Sequence, residues 1–204
     1  MANWRVLERT GQTLVRLLEQ RIAQAGIAGV DVRVVTTGAF SELASTASPF
    51  ISLLLYQATE NPERRNARRK HNTDGLLQRQ PLALELCYMV TPWGARASAT
   101  VEVDSSAALE EARLLGLIFQ TFYDNAEVGT ASLFEDPLVP VWRVGDNIQI
   151  ILESLPVEDH YRIWDASELG YRLSLTYRIR VANLDSGEDE SEPLVTEASF
   201  EVAP

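Results

Sequence analysis

From Val6 to Ala25, apolar side chains recur at helical spacing. Leu7, Leu14, Leu17, Leu18 and Ile22 lie on one side, with Arg5, Glu8, Arg9, Arg16, Glu19 and Arg21 on the other. This predicts an amphipathic helix that buries one face in a core, and Gly26 is a natural stop just past its last turn. Val30 to Val34 alternates with period two, which predicts a strand with one wet face. Gly38 to Ser48 is small and polar, hence loop. Phe50 to Tyr56 is apolar on both faces, as in a central strand, and Thr59-Glu60-Asn61-Pro62 breaks it. A second apolar run spans Leu82 to Val90. Leu82, Leu84, Leu86, Tyr88 and Val90 fall on one face, and Ala83, Glu85, Cys87 and Met89 on the other. Pro92-Trp93-Gly94 reads as a turn, and Ala97, Ala99, Val101 and Val103 as a weakly patterned strand.

Asp104-Ser105-Ser106 offers a helix N-cap, with Glu110 and Glu111 early, where the helix dipole favours acids. Leu109, Ala112, Leu115, Ile118, Phe119 and Phe122 then run at helical spacing to Asp124-Asn125. Leu133 to Val144, with Pro137, Pro140 and Trp142, reads as loop with a short extended piece. Ile148, Ile150 and Leu152 alternate on a strand that Pro156 ends, and Glu158 to Leu169 reads as a short helix. The cleanest alternation is Tyr171, Leu173, Leu175, Tyr177, Ile179 and Val181, interleaved with Arg172, Ser174, Thr176, Arg178, Arg180 and Ala182. Leu184 to Pro193 is an acidic loop, and Leu194 to Val202 suggests a last strand at an edge. The order of elements predicts an α+β fold, a mostly antiparallel sheet with two main helices on one face. No internal repeat and no clear domain boundary are evident. We read residues 1–184 as one domain with a basic arm inserted at 63–80, and 185–204 as the acidic loop with its edge strand.

With 204 residues and 46% hydrophobic composition, the chain can build a core without disulfides or metals. No apolar run is long enough to span a bilayer, and the N-terminus lacks the apolar core of a signal peptide. Cys87 is the single cysteine and reads as a small buried residue on a strand. The net charge of −11 is uneven. Residues 63–80 carry six basic and two acidic side chains, a balance of +4 that leaves −15 for the remainder. Asp185 to Glu192 holds five acidic residues and no basic one. Acidity of this degree argues against wrapping nucleic acid. A basic arm on an acidic body points to an acidic protein partner, a second copy included; the plain alternative is a solvated arm.

Signatures of catalysis are missing. His71 and His160 belong to no metal-ligand spacing, and there is no nucleophile elbow or glycine-rich phosphate loop. Glu110 and Glu111 are helix neighbours and are expected to point apart. The acidic loop lacks the ligand order of a calcium loop. We expect no enzyme activity and no cofactor.

One stretch and several segments after it resemble a known family, the cap or tail-terminator proteins of phage-tail-like contractile injection systems. The segments are Leu55-Tyr56-Gln57-Ala58-Thr59-Glu60-Asn61-Pro62 with Arg65-Asn66, then Pro81-Leu82-Ala83-Leu84-Glu85-Leu86-Cys87-Tyr88. Leu115-Gly116, Glu153-Ser154-Leu155, Trp164 and Tyr171-Arg172-Leu173-Ser174-Leu175-Thr176-Tyr177 follow in the family's order, which covers residues 5–182. The family-like positions are thus Tyr56, Asn61, Pro62, Asn66, Pro81, Tyr88, Trp164, Tyr171, Ser174 and Tyr177. Cys87 stands where the family usually has histidine. Some relatives carry a further C-terminal domain, for which this chain leaves no room.

The resemblance implies a phage tail-terminator-like fold and a hexameric ring that ends polymerisation of the inner tube and the contractile sheath. It implies assembly in the bacterial cytoplasm and a place in the injection particle, with tube and sheath proteins and other copies as partners, and no nucleic acid or membrane contact of its own. A ring needs two different complementary patches on one chain. Arg64, Arg65, Arg68, Arg69 and Lys70 of the arm are expected to form one of them. The alternative is an assembly chaperone or adaptor for tail parts that is not retained in the particle.

Overall fold

The computed structural model describes residues 3–39, 46, 48–64, 81–95, 105–166 and 169–184. Helix α1 (Val6–Gln24) buries Leu14, Leu17, Leu18 and Ile22 of the predicted stripe, but Val6 is buried where Leu7 was expected and Arg9, expected on the polar side, is buried too. Thr10 and Thr13 lie in the same buried face. Their hydroxyls donate to the Val6 and Arg9 carbonyls at 2.7 and 2.8 Å, so neither is left unsatisfied. The helix ends on Gly26 at φ 65°, with Gly26 N–H donating to Ala23 O and Ile27 N–H to Ile22 O. These are the two bonds of a Schellman motif, which needs a left-handed residue where Gly26 stands.

Six strands form one sheet: β1 (Asp31–Val35), β2 (Phe50–Glu60), β3 (Leu82–Trp93), β4 (Glu127–Gly129), β5 (Asn147–Glu153) and β6 (Leu175–Leu184). Their order is β1-β2-β3-β6-β5-β4. β1 runs parallel to β2, and every other pair is antiparallel. Helix α2 (Ser105–Asp124) joins α1 on one face. Leu114, Leu117, Ile118 and Phe122 of α2 close the core over Ile51, Leu53, Leu84, Leu86, Tyr88, Val90, Tyr177, Ile179 and Val181. Phe122 meets the Tyr177 ring edge-on at 4.8 Å. The short helix α3 (Val157–Asp165) covers the opposite face with Trp164, packed among Phe50, Leu54, Met89 and Trp93. The expected α+β class, mostly antiparallel sheet and pair of main helices on one face are what the structure has.

Element boundaries differ from expectation in four places. β2 runs on through Thr59 and Glu60 because a bulge at Tyr56 lets pairing with β3 resume, passing from Leu55↔Tyr88 to Gln57↔Cys87. β3 continues through Pro92 and Trp93 rather than turning there. Its last partner on β6 is Leu175, opposite Val90. Past that point β3 has only β2 beside it, so a proline without an N–H is tolerated. Trp93 instead stacks on Phe50 at 5.1 Å and donates its indole N–H to Ser52 Oγ at 2.8 Å.

β6 starts at Leu175, not Tyr171. Ser174 turns its hydroxyl back to the Arg172 carbonyl at 3.0 Å and shares a 2.8 Å bond with Thr91 Oγ1. Arg172 is held over Trp93 and on Glu111, and these contacts draw 171–173 out of the ladder. The last helix begins at Val157 and stops at Asp165, before Leu169. Tyr161 and Trp164, three apart on this helix, differ in burial: Trp164 is buried and Tyr161 is half exposed. On β5, Ile148 and Ile150 are buried but Leu152 is 52% exposed. The strand expected over Ala97–Val103, the acidic loop and the strand at Leu194–Val202 lie outside the described residues.

Leu133 to Val144 is loop, as expected, with one isolated bridge between Asp136 and Val139. The Glu135 carboxylate organises it by accepting the backbone N–H groups of Asp136, Val141 and Trp142 at 2.9–3.2 Å. The loop is fixed to α1 through Phe134 N–H on Thr13 Oγ1 at 2.9 Å and Asp136 on buried Arg9 at 3.4 Å.

Candidate functional site

The sheet face opposite α1 and α2 is apolar only where α3 covers it. Further along, its residues are charged and paired across strands. The register sets Glu85 of β3 opposite Arg180 of β6, and Cys87 opposite Arg178. Glu85 holds Arg180 at 3.0 Å and reaches Arg178 at 3.9 Å. Arg178 also pairs with Glu153 at the end of β5. Arg180 reaches Glu63 at 3.6 Å. Glu63 belongs to the 3-10 turn Pro62–Arg64 that follows β2. The result is an alternating ladder from Glu153 through Arg178, Glu85 and Arg180 to Glu63, ending beside the basic arm. The carboxylate of Glu85 is only 11% exposed, whereas both arginines are about one-third exposed, at 35% and 32%.

The Tyr56 bulge aims its phenol into this ladder. Burial, then the neighbouring Cys87 and Glu153, push its hydroxyl far above the ordinary range. Burial and the Glu153 carboxylate likewise push the Cys87 thiol up. Cys87 is therefore kept as a neutral thiol, and a neutral thiol is a poor nucleophile. Hydrogen bonding to Glu153 holds Arg178 firmly protonated. No group of three or more His, Cys, Asp or Glu among the described residues is placed to hold a metal. What the ladder offers is a cross-linked polar surface in which three carboxylates hold two arginines.

Asn61 and Pro62 fix how the chain leaves this surface. Asn61 is buried, and its N–H donates to Ala83 O at 2.8 Å. Its side-chain oxygen accepts Glu63 N–H at 2.9 Å, and its carbonyl accepts Arg64 N–H at 3.3 Å. Pro62 supplies the fixed φ of the turn's first residue. Arg64 is thereby set at the rim of a shallow depression lined also by Asn61, Ala83, Asn147, Gln149 and Arg180. Pro81 returns the chain to β3. Of the arm's basic residues, Arg64 alone is described; Arg65, Asn66, Arg68, Arg69, Lys70 and His71 lie outside the described residues.

The remaining family-like positions do not gather at one site. Tyr88 and Tyr177 are buried in the core under the helices, and burial pushes both phenols up to about 12. Trp164 is in the smaller core on the other face, edge-on to Trp93 at 6.1 Å. Tyr171 is on the surface against Tyr161, with ring centroids 4.5 Å apart, and Ser174 directly precedes β6. Tyr88, Tyr177 and Trp164 thus serve the packing of the two cores. His160 is buried on α3, and burial lowers its pKa.

Glu110 and Glu111, expected to point apart, reach neighbouring groups of one segment. Glu111 accepts Gly94 N–H at 3.2 Å and Glu110 accepts Ala95 N–H at 2.7 Å, so both serve one turn. Two consecutive backbone N–H groups are spread widely enough to meet two diverging side chains. The charge ladder was itself not legible in the sequence. Arg178 and Arg180 stand out as the polar face of a strand, but the partner of each depends on strand order and register.

No curated protein sequence matches the chain. Among solved structures, it is similar to the sheath/tube terminator of the extracellular contractile injection system PVC, in the extended state. That likeness has a TM-score of 0.61 at 16% identity and covers 100% of this chain and 65% of the other. It is also similar to the tube-terminating cap of the anti-feeding prophage, with a TM-score of 0.51 at 20% identity over 78% of this chain and 51% of that one. The chain thus spans roughly half to two-thirds of the length of the proteins it superposes on. At these identities the likeness establishes a shared fold. Sequence relationship comes from the family model of the Pvc16 N-terminal domain, which matches residues 9–198. With 190 of its 204 residues inside that match, the chain belongs to the Pvc16 N-terminal domain family.

Proposed function

We propose that this protein is a structural cap of a contractile injection system, ending the inner tube and the sheath and closing the particle. The observation that carries this reading is the superposition of the whole chain on a sheath/tube terminator. The described residues add support of a chemical kind. Their thiol is neutral and buried, the carboxylates of Glu85 and Glu153 are tied to arginines and those of Glu110 and Glu111 to backbone N–H groups, and the polar surface they form is suited to docking.

In this reading the cap is a ring of copies, hexameric as the family resemblance implies. The arm residues Arg64, Arg65, Arg68, Arg69 and Lys70 contact a neighbouring copy, the tube or the sheath. Copies assemble in the bacterial cytoplasm and remain in the particle. No helix among the described residues is long and apolar enough to cross a membrane. The acidic loop from Asp185 and the strand at Leu194–Val202 form a terminal appendage to a domain that ends near residue 184.

Removal of the gene tests the reading. Electron micrographs should then show tubes and sheaths of uncontrolled length with open ends, and resupplying the wild-type protein should restore uniform, closed particles. Uniform, closed particles in its absence would refute the cap role. Failed assembly together with absence of the protein from purified wild-type particles would indicate an assembly chaperone instead.

A further inference from the structure

Helix α2 is apolar on both sides. Its inward side closes the core with Leu114, Leu117, Ile118 and Phe122. Its outward side carries Leu109, Ala112, Gly116, Phe119 and Tyr123, spaced alternately by three and four residues along one stripe. Leu109 is 72% exposed, Phe119 39% and Tyr123 85%. A surface helix ordinarily turns polar residues outward, as α1 does with Glu8, Arg16, Glu19 and Gln20. A helix that is apolar all round is one that becomes covered. Gly116 argues in the same direction. Glycine in a helix interior weakens the helix, and nothing comes within 4 Å of where its Cβ would stand, so the packing of the chain itself does not call for it. With Ala112 it lowers the stripe between Leu109 and Phe119, where another surface can approach the backbone.

A second uncovered apolar surface lies on α3 and on the connection from β5 to β6. Leu152, Val157, Tyr161, Tyr171 and Leu173 are each between 39% and 59% exposed. Tyr161 and Tyr171 pack ring against ring there. Buried Trp164 anchors α3, and Arg172, held by Glu111 at 3.0 Å and lying 4.4 Å over Trp93, fixes the connection. The charges beside the two surfaces are of opposite sign. On α2, Glu110 and Glu111 hold backbone N–H groups and Asp124 pairs with Arg21. That leaves Arg113 exposed and without an ion pair among the described residues. On α3, Asp159 pairs with Arg162 at 3.3 Å. That leaves Glu158 and Asp165 exposed and, among the described residues, likewise without an ion pair.

We infer that the outward stripe of α2 receives the Tyr161–Tyr171 surface of a second copy of this chain. The charges select that occupant: an uncovered apolar stripe with one spare cation matches an uncovered apolar patch with two spare anions. The tyrosine pair supplies contact area at low conformational-entropy cost, and Arg113 against Glu158 and Asp165 sets the orientation. The two surfaces are different, and α2 and α3 lie on opposite faces of the sheet, so the contact is head-to-tail. Such a contact propagates from copy to copy and closes into a ring when the rotation allows. It deepens the ring reading above and rests on it.

The test is a photo-crosslinker, p-benzoylphenylalanine, in place of Phe119 in the full chain. It is irradiated both in the purified protein and in whole particles, and the products are mapped by mass spectrometry. The expected product, in either preparation, is a copy-to-copy link from position 119 into residues 152–173. Charge reversal accompanies it. Arg113→Glu should lower the link yield roughly tenfold, and so should Glu158→Lys with Asp165→Lys. All three changes in one chain should recover it, with circular dichroism confirming that each variant is folded. No copy-to-copy link in either preparation, links to other particle proteins alone, or a folded triple variant that recovers nothing would overturn the proposal. A link from position 119 to α2 of the second copy would overturn it too, since that is a two-fold pair. If particles hold the protein at one end yet position 119 reaches no second copy, this contact is wrong and the cap reading stands. If the link forms in the purified protein but particles never contain the protein, the cap reading fails and the contact stands.

Discussion

Gly94 has no room for a side chain. A Cβ there would sit 2.6 Å from the Ala107 carbonyl oxygen on α2, which is backbone and cannot swing away. Gly94→Ala must therefore push α2 off the sheet or break the turn that Glu110 and Glu111 hold. We expect a loss of about 1–3 kcal/mol, the usual range for overpacking, seen as a lower denaturation midpoint with urea. Gly116, on the same helix, meets nothing within 4 Å, so Gly116→Ala is the control and should be neutral or slightly stabilising. His160 gives a pH signature. Burial lowers its pKa in the folded protein, so the unfolded chain binds the proton more readily. Stability is then complete above the ordinary histidine range and is lost as pH falls through it. Thermal denaturation between pH 8 and 5 should show this fall, and His160→Gln should flatten it if the residue dominates.

Pairing across strands, not any single element, holds the polar face. Glu85→Gln would leave Arg178 and Arg180 sharing a neutral amide. Because both arginines are about one-third exposed, water relieves much of the strain, and a cost of roughly 1–2 kcal/mol is expected by chemical denaturation. The variant should keep its fold, as judged by circular dichroism. Helix α1 was plain in the sequence because one-sided burial imposes a period that survives any topology, and β3, buried on both faces, was plain as a long apolar run. Gly26 as the stop of α1 was equally plain, and its φ of 65° with two capping bonds gives the reason. The bulge at Tyr56, the extension of β3 through Pro92 and the late start of β6 were not plain. Each depends on what the neighbouring strand does at that point: Pro92 is tolerated only because β6 begins too late to need its N–H. The short strand β4 was missed outright, since three residues carry too little pattern to announce a strand.

At the scale of the molecule, a sheet with helices on both faces presents two unlike ends. At one the chain leaves after Arg64 and returns at Pro81, the other carries an apolar rim with acids, and the charge ladder runs between them from Glu63 to Glu153. A chain with net charge −11 that concentrates its positive charge in one short segment is suited to ordered self-contact. Reversing Arg64, Arg65, Arg68, Arg69 and Lys70 to glutamate should leave a folded protein, because Arg64 is an exposed rim residue and the core does not include it. Complementation with this variant should fail to give closed, uniform particles; closed particles would remove the arm from the interface. The most direct measurement is to locate and count the protein in purified particles by cryo-electron microscopy with a gold-labelled epitope tag. The cap reading expects label at one end only, in a fixed ring of copies, on every intact particle. Label along the length of the sheath, or on no particle, would contradict it.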